Sequence, residues 1–197
     1  MEVYLQRLKG MLDSKRYAHS LRVMDTAVRL AGIYGADREK AAVAGLLHDC
    51  ARDMPGERLL ALARQHALEI TEVEEILPVL LHAPVGALMA RLEFGVHNIA
   101  VLRAISRHTL GGVSMSLLDK IVFVADKVEP GRRFPGVQKL REEAEQNLDR
   151  TLLRCFDMAI NLSVQKGEPV HPLTVMARNQ LIFAVEVSEK KFASIEF

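Results

Sequence analysis

The stretch L-L-H-D-C-A-R-D at residues 46–53 is the part of the sequence that decides the fold and locates its chemistry. An apolar run over residues 41–47 leads into it and places His48 and Asp49 side by side. This run predicts a buried helix that ends in an imidazole and a carboxylate, which together can hold one metal ion. A buried polar group without a partner costs about 2–7 kcal/mol, so further partners are expected elsewhere in the chain.

Length and composition indicate one soluble globular domain. The chain has 197 residues, of which 49% are hydrophobic and 26% are charged, and its formal net charge is +1. A charge so close to zero gives no reason to expect nucleic acid or an anionic membrane as a partner. Two cysteines far apart in sequence, Cys50 and Cys155, predict neither a disulfide framework nor a thiolate zinc site. Without a signal-peptide core or a long apolar run, a cytoplasmic protein is expected.

Apolar residues recur at spacings of three and four along most of the chain, which predicts an all-α fold. Strand signals are weak, because aromatic residues make up 5% and tryptophan is absent. A single domain over residues 1–197 is predicted, with its core near 16–130, an irregular segment at 128–140 and a C-terminal helical extension near 140–197. Helices are predicted over residues 2–12, 16–34, 38–50, 56–67, 72–92, 97–108, 115–127, 141–166 and 174–190.

Four more residues of metal-ligating type lie on apolar helix faces or at helix ends: His19, His82, His108 and Asp126. Taken alone, each is better interpreted as a hydrogen-bonded core residue. Together with His48 and Asp49, they would crowd the interior with unpaired polar groups unless a metal were bound. Four imidazoles and two carboxylates exceed one coordination shell that leaves room for substrate, which favours two metal ions bridged by Asp49.

The order of these six residues resembles the HD-domain metal-dependent phosphohydrolase superfamily. Four segments are also similar to the YqeK family of symmetrical bis(5'-nucleosyl)-tetraphosphatases: 46–53, R-H-T at 107–109, A-D-K-V-E-P-G-R-R at 125–133 and H-P-L-T-V-M-A-R-N at 171–179. The resemblance implies an all-helical bundle that cleaves diadenosine tetraphosphate into two ADP. It also implies two divalent or trivalent transition metal ions, with iron as the expected metal, held by His19, His48, Asp49, His82, His108 and Asp126.

The resemblance suggests roles for the residues around these ligands. A hydroxide that bridges the metals is expected to attack the phosphorus, with catalytic roles for Asp49, Asp53 and Lys127. Arg52 stands where the family commonly has lysine and keeps the positive charge. The residues expected to bind the nucleotide are Arg52, His108, Thr109, Lys127, Arg132 and Arg133.

Two other functions remain open at this point. One is a different HD-type nucleotide phosphohydrolase that acts on mono- or triphosphates, and the other is a non-catalytic HD regulatory module. The complete set of ligands argues against the second. A nucleotide is the expected partner, and a homodimer is among the alternatives. The remaining histidines, His66, His97 and His171, are interpreted as structural.

Overall fold

The computed structural model describes the backbone of residues 1–193 and the side chains of residues 1–184. Over that range the chain forms α-helices, one short 3₁₀ helix and no strand, which confirms the predicted all-α class. None of the described helices is long and apolar enough to span a membrane. The helices are α1 Glu2–Lys9, α2 Ser14–Tyr34, α3 Arg38–Leu47, α4 Gly56–Gln65, α5 Glu72–Ile76, the 3₁₀ helix Pro78–Leu81, α6 His82–Leu92, α7 Ile99–Arg107, α8 Leu117–Val128, α9 Val137–Gln146, α10 Leu148–Lys166 and α11 Pro172–Ala193.

Side-chain caps define where several helices begin. Asp13 accepts hydrogen bonds from the backbone N–H groups of Lys15 and Arg16 at the start of α2, and Asp37 and Asn98 cap α3 and α7 in the same way. Such caps satisfy N–H groups that have no partner within the helix. The α2 helix, which carries His19, therefore has a defined N-terminus.

The prediction of one helix over residues 72–92 was wrong. The structure divides this segment at Leu77 into α5, the 3₁₀ helix and α6. Pro78 is the reason, because proline has no N–H to donate and disfavours a helical conformation at the preceding residue. Leu77 accordingly has φ −122° and ψ 69°. The break lets α6 begin at His82.

The prediction of one helix over residues 141–166 was also wrong. Asn147 adopts an extended conformation between α9 and α10, and its side chain accepts a hydrogen bond from the backbone N–H of Arg150. Asparagine favours such caps over helix interiors. Since α9 begins at Val137, the irregular segment predicted over residues 128–140 is shorter than expected. The other predicted boundaries differ from the observed ones by at most three residues.

Helix α8 lies at the centre of the fold. It packs against α2, α3, α7, α9 and α10, and residues 121–125 are completely buried. A helix that is apolar around its circumference is stable only in such an interior position. A large core contains buried side chains from Leu8 to Leu181, and a smaller cluster is formed by Ala51, Leu59, Ala63, Leu81 and Val85. The division into a core near 16–130 and an extension over 140–197 stays a prediction, and residues 194–197 lie outside the described residues.

Candidate metal centre

The residues predicted as metal ligands lie together in the interior of the bundle. Each is at most 6% exposed. They come from α2, from the residues that directly follow α3 and α7, from the first residue of α6 and from the last turn of α8. The structure thus brings together residues more than 100 positions apart in sequence: His19, His48, Asp49, His82, His108 and Asp126.

The Asp49 carboxylate lies between two groups of imidazoles. Its Oδ1 is 3.3 Å from His82 Nε2 and 3.4 Å from His108 Nε2. Its Oδ2 is 3.4 Å from His48 Nε2 and 3.7 Å from His19 Nε2. Donor atoms that are each about 2.0–2.1 Å from one ion lie roughly 3–3.5 Å apart. The two oxygens of Asp49 therefore have the spacing to serve two neighbouring ions.

Three of the imidazoles are oriented by backbone carbonyls. The Nδ1 atoms of His48, His82 and His108 lie 2.7, 2.5 and 2.7 Å from the carbonyl oxygens of the residues three positions earlier. A neutral ring that donates from Nδ1 carries its lone pair on Nε2. In this way His82 Nε2 and His108 Nε2 face each other at 3.1 Å. A cation between or beside them would remove the repulsion between the two lone pairs.

A carboxylate orients the fourth imidazole. His19 Nδ1 lies 3.1 Å from Glu129 Oε1, and Glu129 is only 1% exposed. Glu129 Oε2 in turn accepts hydrogen bonds of 2.5 Å from Arg22 Nε and from the backbone N–H of Gly131. A carboxylate behind a histidine raises the basicity of the ring and directs its other nitrogen towards a metal.

The buried carboxylates of the cluster are stabilised by positive charge around them. Burial opposes ionisation of Asp49 and Asp126, yet the surrounding cations and hydrogen bonds hold the pKa of both carboxyls well below the usual range. Burial also opposes protonation of His48, but the two carboxylates outweigh it and raise its pKa to about 10. In contrast, burial and the neighbouring histidines lower the pKa of His108 to about 4. A metal ion would replace the His48 proton and release it.

The donor set fits a transition metal. Two groups of ligand atoms, from His19, His48 and Asp126 and from His48, Asp49 and His108, each lie within 4.8 Å of one another. Among the described residues, no hydrogen-bond partner is found for the buried atoms His19 Nε2 and His48 Nε2. Buried polar atoms normally have partners, and an ion bound by nitrogen and oxygen would supply them. The cluster is therefore of a type that binds divalent metals.

Comparison with known proteins agrees with this geometry. The model of the HD domain family matches residues 16–131, a segment that contains all the ligands named above. The chain belongs to the HD domain family. Its resemblance to the YqeK-type tetraphosphatases, inferred from the sequence, is likewise confirmed by curated relatives that match along nearly the whole chain.

Two of these relatives carry the name symmetrical bis(5'-nucleosyl)-tetraphosphatase. The one from Halalkalibacterium halodurans is 40% identical over 90% of this chain and 95% of its own length. The one from Bacillus subtilis is 37% identical over 92% of this chain and 97% of its own length. The chain is also similar to a predicted HD superfamily hydrolase involved in NAD metabolism from Clostridium acetobutylicum, whose crystal structure has been solved. The two sequences are 44% identical, and the two structures have a TM-score of 0.91 over 93% of this chain and 97% of that one.

Some of the other predicted residues contact the proposed ligands of this HD domain. Thr109 Oγ1 is 3.1 Å from both His82 Nε2 and His108 Nε2. Lys127 Nζ lies 2.6 Å from Asp126 Oδ2, and the Arg132 guanidinium contacts Asp126 Oδ1 and donates to its backbone carbonyl. Both cations thus lie at the edge of the cluster.

For three predicted residues, the hydrogen bonds and ion pairs found among the described residues do not involve the proposed ligands. Among the described residues, no hydrogen bond or ion pair is found for the half-buried Arg52 guanidinium. Asp53 is exposed and accepts a hydrogen bond from the backbone N–H of Asp13. Arg133 donates to the backbone carbonyls of Pro130 and Arg132. Their predicted roles stay predictions.

Two residues without a predicted role contact the proposed ligands. Arg16 Nη1 lies 2.8 Å from Asp49 Oδ2, and its Nε lies 3.9 Å from Asp53 Oδ1. The other is Glu129, described above. Helix spacing could have drawn attention to both, because Arg16 lies three residues before His19 and Glu129 lies three residues after Asp126.

Proposed function

We propose that this protein hydrolyses dinucleoside tetraphosphates, and diadenosine tetraphosphate in particular, symmetrically into two nucleoside diphosphates. The names of the relatives at 40% and 37% identity support this substrate. The observation that carries the chemistry is the position of Asp49, whose two carboxylate oxygens face two separate groups of imidazoles. A hydrolase of a polyphosphate benefits from such a paired site, because charge must be neutralised on both sides of the broken bond.

In our proposal the centre holds two transition metal ions, which we take to be iron. His19, His48 and Asp126 would bind one ion, His82 and His108 would bind the other, and Asp49 would bridge them. Nitrogen and oxygen donors of this kind are compatible with iron. When bound, the ions would act as Lewis acids on the phosphate oxygens and lower the pKa of water.

The cations around the centre would hold the phosphates. A cleft of about 440 Å³ opens beside His19 and Glu129. Guanidinium groups bind phosphate oxygens through two parallel hydrogen bonds, and ammonium groups bind them as point charges. We expect Arg132 and Lys127 to exchange part of their contact with Asp126 for contact with substrate. The positively charged residues of the cleft wall are Lys15, Arg16, Arg22, Arg132 and Arg133.

Symmetrical cleavage defines the bonds that change. The oxygen of water forms a bond to one of the two central phosphorus atoms, and the bond from this phosphorus to the central bridging oxygen breaks. One ADP leaves with that bridging oxygen and the other retains the water oxygen. The two protons of the water pass to the two new terminal phosphate groups, which release them to solvent above their own pKa. The cations of the cleft stabilise the negative charge that develops on the departing oxygen. Asp53 remains a proposed aid in orienting the water through its ion pair with Arg16.

Hydrolysis in water enriched in ¹⁸O tests this function directly. Metal-loaded protein and diadenosine tetraphosphate should yield ADP as the nucleotide product, with one labelled oxygen in half of the molecules. A product pair of AMP and ATP would refute symmetrical cleavage. Asp126→Asn serves as the control for contaminating hydrolases, because it should remove both metal and activity.

Two further parts of the proposal concern the protein's surroundings. We propose that it works in the cytoplasm, where both buried thiols, Cys50 and Cys155, would remain reduced. The homodimer considered from the sequence stays a prediction, and sedimentation of the purified protein would test it.

A further inference from the structure

An apolar cavity of about 550 Å³ lies beside the HD-domain centre. It is bounded by α5, by the end of α7 with the loop that follows, and by the start of α11. Pockets that bind small organic molecules have volumes of about 300–1,000 Å³ and are mostly apolar, with a few polar groups. Its apolar wall includes Leu68, Pro84, Leu110, Leu173 and Met176.

Two residues that line this cavity lie close in sequence to two proposed ligands. Pro84 lies two residues after His82, and Leu110 lies two residues after His108. Two residues along a chain separate Cα atoms by at most about 7.6 Å. Thr109, between His108 and Leu110, has its hydroxyl 3.1 Å from both imidazoles. A molecule in the cavity could therefore extend phosphates to this half of the centre.

Two buried polar side chains line the cavity outside the metal cluster. Glu74 is 6% exposed, and its Oε2 accepts hydrogen bonds from the backbone N–H and the hydroxyl of Thr71. Within the described part of the chain, Glu74 Oε1 has no hydrogen-bond partner. His171 is 7% exposed, and its Nδ1 accepts from the N–H of Leu173. Its Nε2 therefore carries the proton and lies 3.2 Å from Thr71 Oγ1.

This cavity differs in chemistry from the cationic cleft. The cleft lies next to His19 and Glu129 and is lined by arginine and lysine side chains, whereas the cavity adjoins the His82 and His108 half. Cationic walls suit phosphates, and apolar walls suit a planar base. The free carboxylate oxygen of Glu74 can accept a hydrogen bond from an exocyclic amino group.

We propose that the cavity binds the nucleoside of one nucleoside diphosphate half of the substrate. The purine packs against Leu110 and Met176, and Glu74 accepts a hydrogen bond from the amino group of the base. His171 holds Thr71, and through it the Glu74 carboxylate, in place. This inference rests on the proposed function, since it supplies the nucleoside site that a dinucleoside substrate needs.

Calorimetric titration of the metal-loaded protein with ADP and with inorganic pyrophosphate tests the cavity. Met176 is 55% exposed, so Met176→Trp should fill the cavity without disturbing the core. We expect ADP to bind at least about tenfold more tightly than pyrophosphate, and Met176→Trp to remove most of this difference while pyrophosphate binding is unchanged. Val175→Trp is the matched control, because Val175 lies beside Met176 on α11 but does not line the cavity.

Glu74→Gln tests recognition of the base. Wild-type protein should prefer ADP to the 5'-diphosphate of purine riboside, which lacks the amino group, and the variant should lose this preference. Equal binding of ADP and pyrophosphate by wild type, or of ADP by wild type and Met176→Trp, would overturn the inference. If ADP binds as expected but diadenosine tetraphosphate is not cleaved, the proposed function fails and the nucleoside site stands. If cleavage proceeds with an unchanged KM in Met176→Trp, the site fails and the function stands.

Discussion

Replacing Glu129 with glutamine should weaken metal binding, although Glu129 is not itself a proposed ligand. In the wild type, its Oε1 faces His19 Nδ1 at 3.1 Å, and its Oε2 accepts from Arg22 and from Gly131. A glutamine has only one oxygen. If that oxygen keeps the bonds to Arg22 and Gly131, the amide NH₂ lies against His19 Nδ1. The ring can then accept there only by moving its proton to Nε2, the atom that should bind the metal.

The size of the effect follows from this change of tautomer. Removal of a hydrogen-bond partner behind a metal-ligating histidine commonly costs 10–100-fold in metal affinity, which corresponds to about 1.4–2.8 kcal/mol. We expect Glu129→Gln to lie at the upper end, about 100-fold, because the ring must change tautomer as well as lose a charged partner. The effect should fall on the ion held by His19, His48 and Asp126.

Competition of the protein with a chromogenic chelator, followed by metal analysis, measures this affinity. Glu129→Asp should restore part of it, because the carboxylate remains. Glu143→Gln is a matched control: Glu143 is a largely buried carboxylate paired with Arg150 and Arg154 outside the centre. Unfolding of the metal-free proteins in urea separates loss of affinity from loss of stability. Wild-type affinity in a folded Glu129→Gln protein would refute the proposed role of this residue.

Three further outcomes are expected. His48→Ala should purify with less bound metal, because the buried His48 Nε2 has no hydrogen-bond partner in the part of the chain that the structure describes. Full metal content by mass spectrometry would remove His48 from the proposed ligands. Arg132→Ala should keep its metal but lose about 10–100-fold in kcat/KM for diadenosine tetraphosphate, since a hydrogen bond to a charged group is worth about 1.5–3 kcal/mol. An unchanged kcat/KM would place Arg132 outside the substrate site. Phe156→Ala should lower the free energy of unfolding by about 3–5 kcal/mol, because Phe156 is fully buried against Phe123. A loss below about 1 kcal/mol in urea unfolding would mean that neighbouring side chains move into the space left by the phenyl ring.

The sequence was sufficient for the helical class and for most helix positions, because apolar spacing and caps are local signals. It failed at Pro78, where three elements were predicted as one helix, and at Asn147, where two were predicted as one. Both residues are recognised helix breakers or caps, so closer attention to single residues could have found the breaks. The packing of α8 against five other helices could not be predicted, since it depends largely on contacts between distant segments.

The candidate ligands could be selected from the sequence by residue type and by their positions at helix ends. What could not be predicted is how they face one another. The bond between His19 and Glu129 joins residues 110 positions apart, and the one between Arg16 and Asp49 spans 33 positions. No local pattern encodes such pairs. Residues that contact the proposed ligands were therefore missed, although the proposed ligands themselves lie together as expected.

The positions of His48 and His108 explain why helix ends carry this centre. The last four carbonyls of a helix have no partner within it, and the carbonyls of Gly45 in α3 and Ile105 in α7 are among them. A histidine placed directly after the helix donates its Nδ1–H to such a carbonyl, which satisfies the helix end and turns Nε2 towards the centre. One hydrogen bond thus stabilises the fold and orients a ligand. The two functions are inseparable at His48, because a substitution that removes its imidazole takes away the hydrogen bond to the Gly45 carbonyl as well as a proposed metal ligand. It should therefore lower the stability of the metal-free protein too. At His108 the effect on stability should be smaller, because the Ile105 carbonyl also accepts a hydrogen bond from the backbone N–H of His108.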